Sequence, residues 1–262
     1  MEHNIMTFNM RIDQTSDGMN SWPYRLSSVS QFLKETKPLI IGAQEVSKAM
    51  RDGVLTLTGD YYSFGMPRTT EGEGTPILYN HRVLYLIDGG TFWLSETPTV
   101  PDSISFDAAY HRICTYATFC FRVDRTKRFR VYNTHLDNKS ELARMKGIEI
   151  IFEHIKKRND KEEHLPTFLM GDLNAEHGSD VLKYIESRKD DPSLPTNNAF
   201  SLMKKEDVGA TFHGYEGKTK GDPLDFIFYT DDLKVSNPVI FREKINDRYI
   251  SDHYPVYVKV EF

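Results

Sequence analysis

The sequence predicts an α/β fold in which strands pack as two sheets and helices lie outside them. Three observations carry this. Short apolar runs alternate with segments of helical periodicity. Residues 62–131 and the last third of the chain read mostly as strands. No linker, repeat or low-complexity tract divides the 262 residues, so 1–262 reads as one domain.

The elements follow in order. "NIMTFNM" is a strand. In "WPYRLSSVSQFLKET", Pro23 suits a first helical turn, and Leu26, Val29 and Leu33 have helical spacing. "PLIIGAQE" is a buried strand, and residues 48–57 form a helix. "YYSFG", "TPILYN", "VLYLIDGGTFWL", "ICTYATFCFRV" and "RFRVYNTHL" are strands, with turns placed at Gly89-Gly90 and at 124–127. The longest helix has a capping-box-like start, Asn138 with Glu141. Its apolar stripe is Leu142, Met145, Ile148, Ile151, Phe152 and Ile155. "PTFLMG" is a strand, "SDVLKYIESR" a helix and 189–198 a loop. "LDFIFY", "LKVSNPVIF" and "YPVYVKVEF" are strands.

Composition narrows the function classes. A hydrophobic fraction of 39% and a charged fraction of 27% describe an ordinary globular chain. No apolar run approaches the roughly 20 residues of a membrane helix. "MEHNIMTFNMR" lacks the basic segment and long apolar run of a secretory signal, which gives an expectation of cytoplasmic residence. Cys114 and Cys120 lie six apart on one strand, about 20 Å from each other, too far to bridge. They read as buried thiols in a reducing compartment. The net charge is −5 and the basic residues are scattered. "KKR" at 156–158 reads as a solvated helix end. This balance disfavours tight non-specific binding of duplex DNA. A phosphate substrate stays open, because a bound cation reverses the local sign.

A recurring pattern points to chemistry. In "TFLMGDLN" an apolar strand runs into Asp172 and Asn174, which share a direction if the chain stays extended. Asn9, Glu45, His135, Asp225, and the pair Asp252 and His253 stand beside other strands in the same way. Burying such groups without partners costs several kcal/mol, roughly 2–7 for a polar group. Gathering them at one sheet edge around a cleft removes that cost. Carboxylate and amide oxygens are hard ligands that suit Mg²⁺ or Mn²⁺, and the histidines supply acid–base groups. Together they suit phosphoryl chemistry.

Singly, each residue has a plainer reading. Glu45 could be a first-turn helix acid, His135 a core histidine, Asp172 a helix cap, and Asn174 an Asx turn. Asp252 could cap or turn, and Asp137 and Asn138 fit helix capping. Arg112 fits either a bidentate phosphate clamp or a surface ion pair. Phe92 and Trp93 fit the core. "RTTEGEGTP" at 68–76 lacks the ending of a phosphate-cradling loop and reads as a mobile flap. "TFHGY" at 211–215 reads as a cleft rim, with no role given to His213.

The set "TFNMR", "QEV", "NTHLDN", "GDLNA", "LDFIF" and "SDHYPV", in this order over residues 9–253, resembles the endonuclease/exonuclease/phosphatase superfamily. The similarity is strongest to the bacterial branch related to nocturnin-like and deadenylase-type members. The resemblance implies a DNase I-like four-layer αββα sandwich, with two mixed β-sheets face to face and helices outside. It also implies Mg²⁺ (or Mn²⁺) dependence and in-line attack of water on a phosphoester. Glu45 would be the main metal ligand, with Asn9 and Asp252 close to it. Asp172 would orient and deprotonate the water, Asn174 would hold a phosphate oxygen and His135 would contact the scissile phosphate. His253, oriented by Asp225, would stabilise the transition state, and Arg112 would bind substrate.

Departures refine this. AP endonucleases of the superfamily carry Tyr where His135 stands, together with basic DNA-gripping loops. Secreted DNases and sphingomyelinases carry signals or membrane-binding insertions. The calcineurin-like phosphoesterases need an early "Asp-x-His" and a later "Gly-Asn-His". None of these is found. The expected function is a Mg²⁺-dependent phosphoester hydrolase acting on a nucleotide, a short nucleic acid or another small phosphorylated compound. An RNA or DNA exonuclease is the runner-up, and a non-catalytic binding protein is the reading from another class. Neither membrane, stable duplex DNA nor an obligate protein partner is expected.

Overall fold

Parallel strands need long crossovers, and this chain places a helix in each of two such crossovers. In the computed structural model, which describes residues 2–262, β1 (Glu2–Asn9) leads through α1 (Trp22–Thr36) to its parallel neighbour β2 (Ile40–Gln44). Then come α2 (Lys48–Thr58), β3 (Tyr61–Phe64) and β4 (Ile77–Asn80). The second half opens with β5 (Leu84–Trp93), β6 (Ile113–Phe121) and β7 (Arg128–His135). From β7 the chain crosses through α3 (Glu141–Lys161) to the parallel β8 (Thr167–Asp172). It continues through α4 (Asp180–Glu186), β9 (Asn197–Asn198), β10 (Asp225–Tyr229), β11 (Lys234–Ile240) and β12 (Val256–Glu261).

Two mixed six-stranded sheets result, ordered β11-β12-β1-β2-β4-β3 and β5-β6-β7-β8-β10-β9. Each holds one parallel pair among antiparallel neighbours. Period-two alternation in β1 sends Met6 and Phe8 toward Val29, Phe32 and Leu33 of α1, and Ile5 toward the other sheet. Ile148, Ile151, Phe152 and Ile155 of α3 join the large core on the second sheet. The layers are therefore αββα, as the sequence implied. Across the interface between sheets, Gln44 Nε2 donates to Asn133 Oδ1 at 2.7 Å, and Asn133 Nδ2 donates to Ala43 O at 2.8 Å. Among the described residues no helix is long and apolar enough to cross a membrane.

Several local expectations are corrected. Gly89-Gly90 is not a turn: both lie inside β5, opposite Ala117 and Tyr116. A Cβ on Gly89 would come within 2.6 Å of the Phe64 ring and 2.7 Å of Tyr116 O, so this glycine answers to close packing. The α3 cap is Ser140, whose hydroxyl accepts from Ala143 N, and not the Asn138–Glu141 box. Leu142 is 49% exposed and outside the stripe. Arg158 is not a solvated end: it pairs with Asp88 and Glu162 and packs on Tyr116. Cys114 and Cys120 are buried and free, and Phe92 and Trp93 are core residues, as read.

Candidate active site

Both parallel pairs end at one edge of the sandwich. In the first sheet Asn9 faces Gln44, with Glu45 next in the chain; in the second, His135 faces Asp172. The antiparallel β10 begins there too, with Asp225 opposite Asp172. Gly171 makes this possible. Its φ is +147°, and a Cβ there would lie 1.9 Å from Thr134 O. Only glycine lets β8 press against β7 immediately before the carboxylate.

Asp172 is the hub. Asn9 Nδ2 donates to its Oδ2 at 3.0 Å and to Glu45 Oε1 at 3.1 Å. His135 Nε2 and His253 Nε2 stand 3.4 and 3.8 Å from the same Asp172 oxygen. Its Oδ1 accepts from Asn174 N at 2.9 Å. The residues flanking β12 are tied in through Ser251, whose hydroxyl donates to Asn9 O at 2.7 Å. This brings Asp252 beside Arg11 (3.6 Å) and His253 onto Asp225 Oδ2 (2.8 Å). Arg112 is buried, not a surface pair. Asp137 holds its Nε at 3.4 Å and Asn138 its Nη2 at 3.3 Å, at a small cavity shared with Glu45 and His135. All nine expected site residues therefore gather at one edge.

Two details differ from the reading of an extended strand. Asn174 has φ +46°, so the chain turns after β8 and the Asp172 side chain closes an Asx turn. Asn174 Nδ2 donates to Leu136 O at 3.0 Å, which leaves its second amide hydrogen for another acceptor. Glu45 also has a left-handed backbone, φ +58°, and Arg11 a φ of +52°. Such strain in non-glycine residues clusters at functional sites. Glu45 Oε2 is fixed by the Ile12 amide at 3.0 Å.

Charges are arranged in opposition. Burial opposes a proton on His253, but Asp225, Asp172 and Asp252 outweigh it and raise its pKa to about 10. With both ring nitrogens protonated, Nδ1 donates to Asp225. Burial pushes His135 well below the usual histidine range, and Arg112, His253 and Arg68 add to the effect. Burial and Asp225 raise Asp172; burial also raises Asp252, and Glu45 adds to it. Thus a neutral and a cationic imidazole flank one carboxylate.

The donors fit a divalent cation. Asn9 Nδ2 bridges Glu45 Oε1 and Asp172 Oδ2, Asp252 stands beside Arg11 and His253, and a buried oxygen of Asp225, Oδ1, has no partner. Asp172, Asp225 and His253 also present ligand atoms within 4.8 Å of one another. The 2.8 Å bond already occupies His253 Nδ1, so the hard oxygens around Glu45 match a cation better.

Sequence reasoning missed Arg25, which is fully buried on α1. Its guanidinium donates to the carbonyls of Met10, Ile250, Asn20 and Arg11 at 2.5–2.9 Å. It thereby joins the chain after Asn9 to the chain before Asp252. The 68–76 loop also reaches the site, through Arg68 and Glu73. Thr211–Tyr215 forms a rim as expected, since Phe212 bridges to His253 and its ring lies 5.0 Å from the imidazole. His213 turns away and stacks on Tyr254 at 3.9 Å. A separate cavity of about 640 Å³ is lined by Leu182, Phe200, Phe226 and Phe228 and holds none of the nine residues.

Comparison with known proteins agrees with the fold. The model of the Endonuclease/Exonuclease/phosphatase family matches residues 6–253. No curated protein matches the chain. Among solved structures, a family protein from Bacteroides vulgatus is 28% identical, with 100% of this chain and 99% of that one covered at a TM-score of 0.87. A mannosyl-6-phosphatase from Bacteroides thetaiotaomicron is 23% identical, with 99% and 100% covered at a TM-score of 0.89. The human Nocturnin catalytic domain, with bound sulfate, is 19% identical, with 100% and 93% covered at a TM-score of 0.76. With most of its length, residues 6–253, matched by the family model, the chain belongs to the endonuclease/exonuclease/phosphatase family and is a phosphoester hydrolase.

Proposed function

We propose that residues 1–262 act as one domain that hydrolyses a small phosphorylated compound by metal-assisted in-line attack of water. The convergence of Asn9, His135 and His253 on one oxygen of Asp172 carries this reading. Glu45, with Asn9 and Asp252 beside it, would hold Mg²⁺ or Mn²⁺. When bound, such a cation polarises the phosphate and offsets its charge. Asp172 orients water and takes its proton, and its raised pKa matches a base. Asn174 offers its second amide hydrogen to a phosphate oxygen. His135 contacts the scissile phosphate, and Arg112, fixed by Asp137, points a buried guanidinium at the same cavity. The His253 imidazolium, oriented by Asp225, faces the charge that grows as the new P–O bond forms and the old one breaks.

A small substrate is supported by the net charge of −5 and by the mannosyl-6-phosphatase among its structural neighbours. Stable duplex DNA binding and an obligate protein partner are not part of this reading. Free, buried Cys114 and Cys120 suit a cytoplasmic setting. The test is a panel of phosphomonoesters, dinucleotides, short RNA and short DNA, with Mg²⁺ or Mn²⁺ and with excess EDTA. Turnover of a small phosphoester, stopped by EDTA and restored by either cation, is expected. Full activity in chelator would remove the metal role. Preference for oligonucleotides would favour an exonuclease.

A further inference from the structure

We propose that the ion pair between Arg68 and Glu73, on the loop joining β3 to β4, reads the hydroxyl groups of a polyhydroxylated leaving group, making sugar or polyol phosphates the substrate class. The proposal rests on the phosphoester-hydrolase reading and adds a specificity element to it.

The pair is built into the site. Arg68 Nη1 lies 2.9 Å from Glu73 Oε1, with the side chains 22% and 8% exposed. Together with Thr75 they line the same small cavity as Glu45, His135 and Arg112. The loop is fixed rather than free. Trp93 Nε1 donates to Arg68 O at 3.0 Å, and Arg68 N donates to Glu73 O at 2.8 Å. Gly74 exchanges two backbone hydrogen bonds with Val46, at 3.0 and 3.2 Å, directly after the strained Glu45. Substrate groups next to the phosphate therefore meet a preformed wall.

The chemistry of that wall selects among leaving groups. A carboxylate can only accept hydrogen bonds and a guanidinium can only donate them. The hydroxyl group does both, so adjacent hydroxyls can satisfy the pair at once. The pair is neutral overall, so it offers a second phosphate no net attraction. A nucleobase needs a free aromatic face. Beside the pair the ring is Tyr110, which carries Arg68 and Arg112 with their guanidinium carbons 5.0 and 5.3 Å from its centroid, whereas the exposed Phe212 lies beside His253 and does not line the pair's cavity. A site built to hydrogen-bond hydroxyls discriminates against analogues that lack them.

The experiment compares kcat/KM for hexose 6-phosphates, glycerol phosphate, mononucleotides and phenyl phosphate, with Mg²⁺, in the wild type and in Glu73→Gln and Arg68→Gln. Thermal melts confirm that each variant is folded. The wild type should prefer a hydroxyl-rich phosphate to phenyl phosphate. Each variant should lower that ratio by about tenfold or more. An equal loss on all substrates, an unchanged ratio, or a wild-type preference for phenyl phosphate or mononucleotides would each overturn the proposal while leaving the hydrolase intact. Absence of metal-stimulated turnover of any phosphoester would instead remove the reading on which it stands.

Discussion

His253 lies beside one aromatic ring, Phe212, and His154 among three; burial opposes a proton on each, yet their pKa values move in opposite directions. His253, in the candidate active site, rises to about 10. His154, on α3 against the outer face of the second sheet, falls to about 4. His154 stacks on Phe92 at 4.5 Å and meets the Tyr132 hydroxyl at 3.1 Å. After burial, the further causes of its fall are Arg158, Lys157 and Arg130. His253 has Asp225 at 2.8 Å, with Asp172 and Asp252 beyond. Neighbouring charge therefore decides the sign. One region holds a ready cation; the other holds a neutral ring that packs and meets one tyrosine hydroxyl.

The sharpest test of that contrast is to delete each histidine. His253→Ala should lower kcat by about 10²–10⁴-fold while the protein remains folded, because it removes a preorganised cation facing the transition state. Asp172→Asn should lower it at least as far. His154→Phe, which keeps the stack, should change kcat by less than about threefold. Steady-state assays with melting curves decide this. A folded His253→Ala enzyme with more than about a tenth of wild-type activity would break the contrast, as would a His154→Phe enzyme as damaged as His253→Ala.

A smaller effect on activity and a larger one on stability are expected at Arg25, which connects α1 to both chain segments that carry metal-ligand candidates. Arg25→Met removes a guanidinium that pairs with four carbonyls and involves no carboxylate. Leaving several buried carbonyls unsatisfied should cost about 3–5 kcal/mol, read as a lower urea midpoint with unchanged m-value. A shift equivalent to under about 1 kcal/mol would mean that water or rearrangement replaces those bonds.

Legibility followed the range of the interactions involved. Alternation of apolar residues, and the polar residue that ends each run, are local patterns, so the strands and the order of Asn9, Glu45, His135, Asp172, Asp225 and His253 could be read directly. Their convergence could be expected only because strand ends share an edge. Arg25 was invisible because its partners lie up to 225 residues away and are backbone atoms, which leave no trace in residue identity. The Arg68–Glu73 pair lies in a segment that read as a mobile flap, and only its hydrogen bonds to Val46 and Trp93 fix it against the site. Asn174 was misjudged because an i, i+2 rule assumes an extended chain, and the Asp172 side chain itself bends that chain. Gly89-Gly90 misled because glycine marks both turns and places where backbone and ring come too close for a Cβ.

The smallest expected effect isolates His154 by pH. Its pKa falls from the ordinary 6.5 to about 4 on folding. Between these values the unfolded chain binds a proton that the folded one does not. Stability from this group is therefore fully present above about pH 6.5, declines as pH falls toward 4, and changes no further below that. The full shift corresponds to at most about 3 kcal/mol, and partial exposure of the ring reduces it to about 1–2. Other groups titrate in the same range, so the useful quantity is the difference in unfolding free energy between wild type and His154→Phe at pH 7 and pH 4.5. The variant should lose less stability on acidification, because phenylalanine has no proton to take up. Parallel curves for the two proteins would mean that His154 keeps its ordinary pKa. The contrast with His253 would then rest on the carboxylates of the candidate site alone.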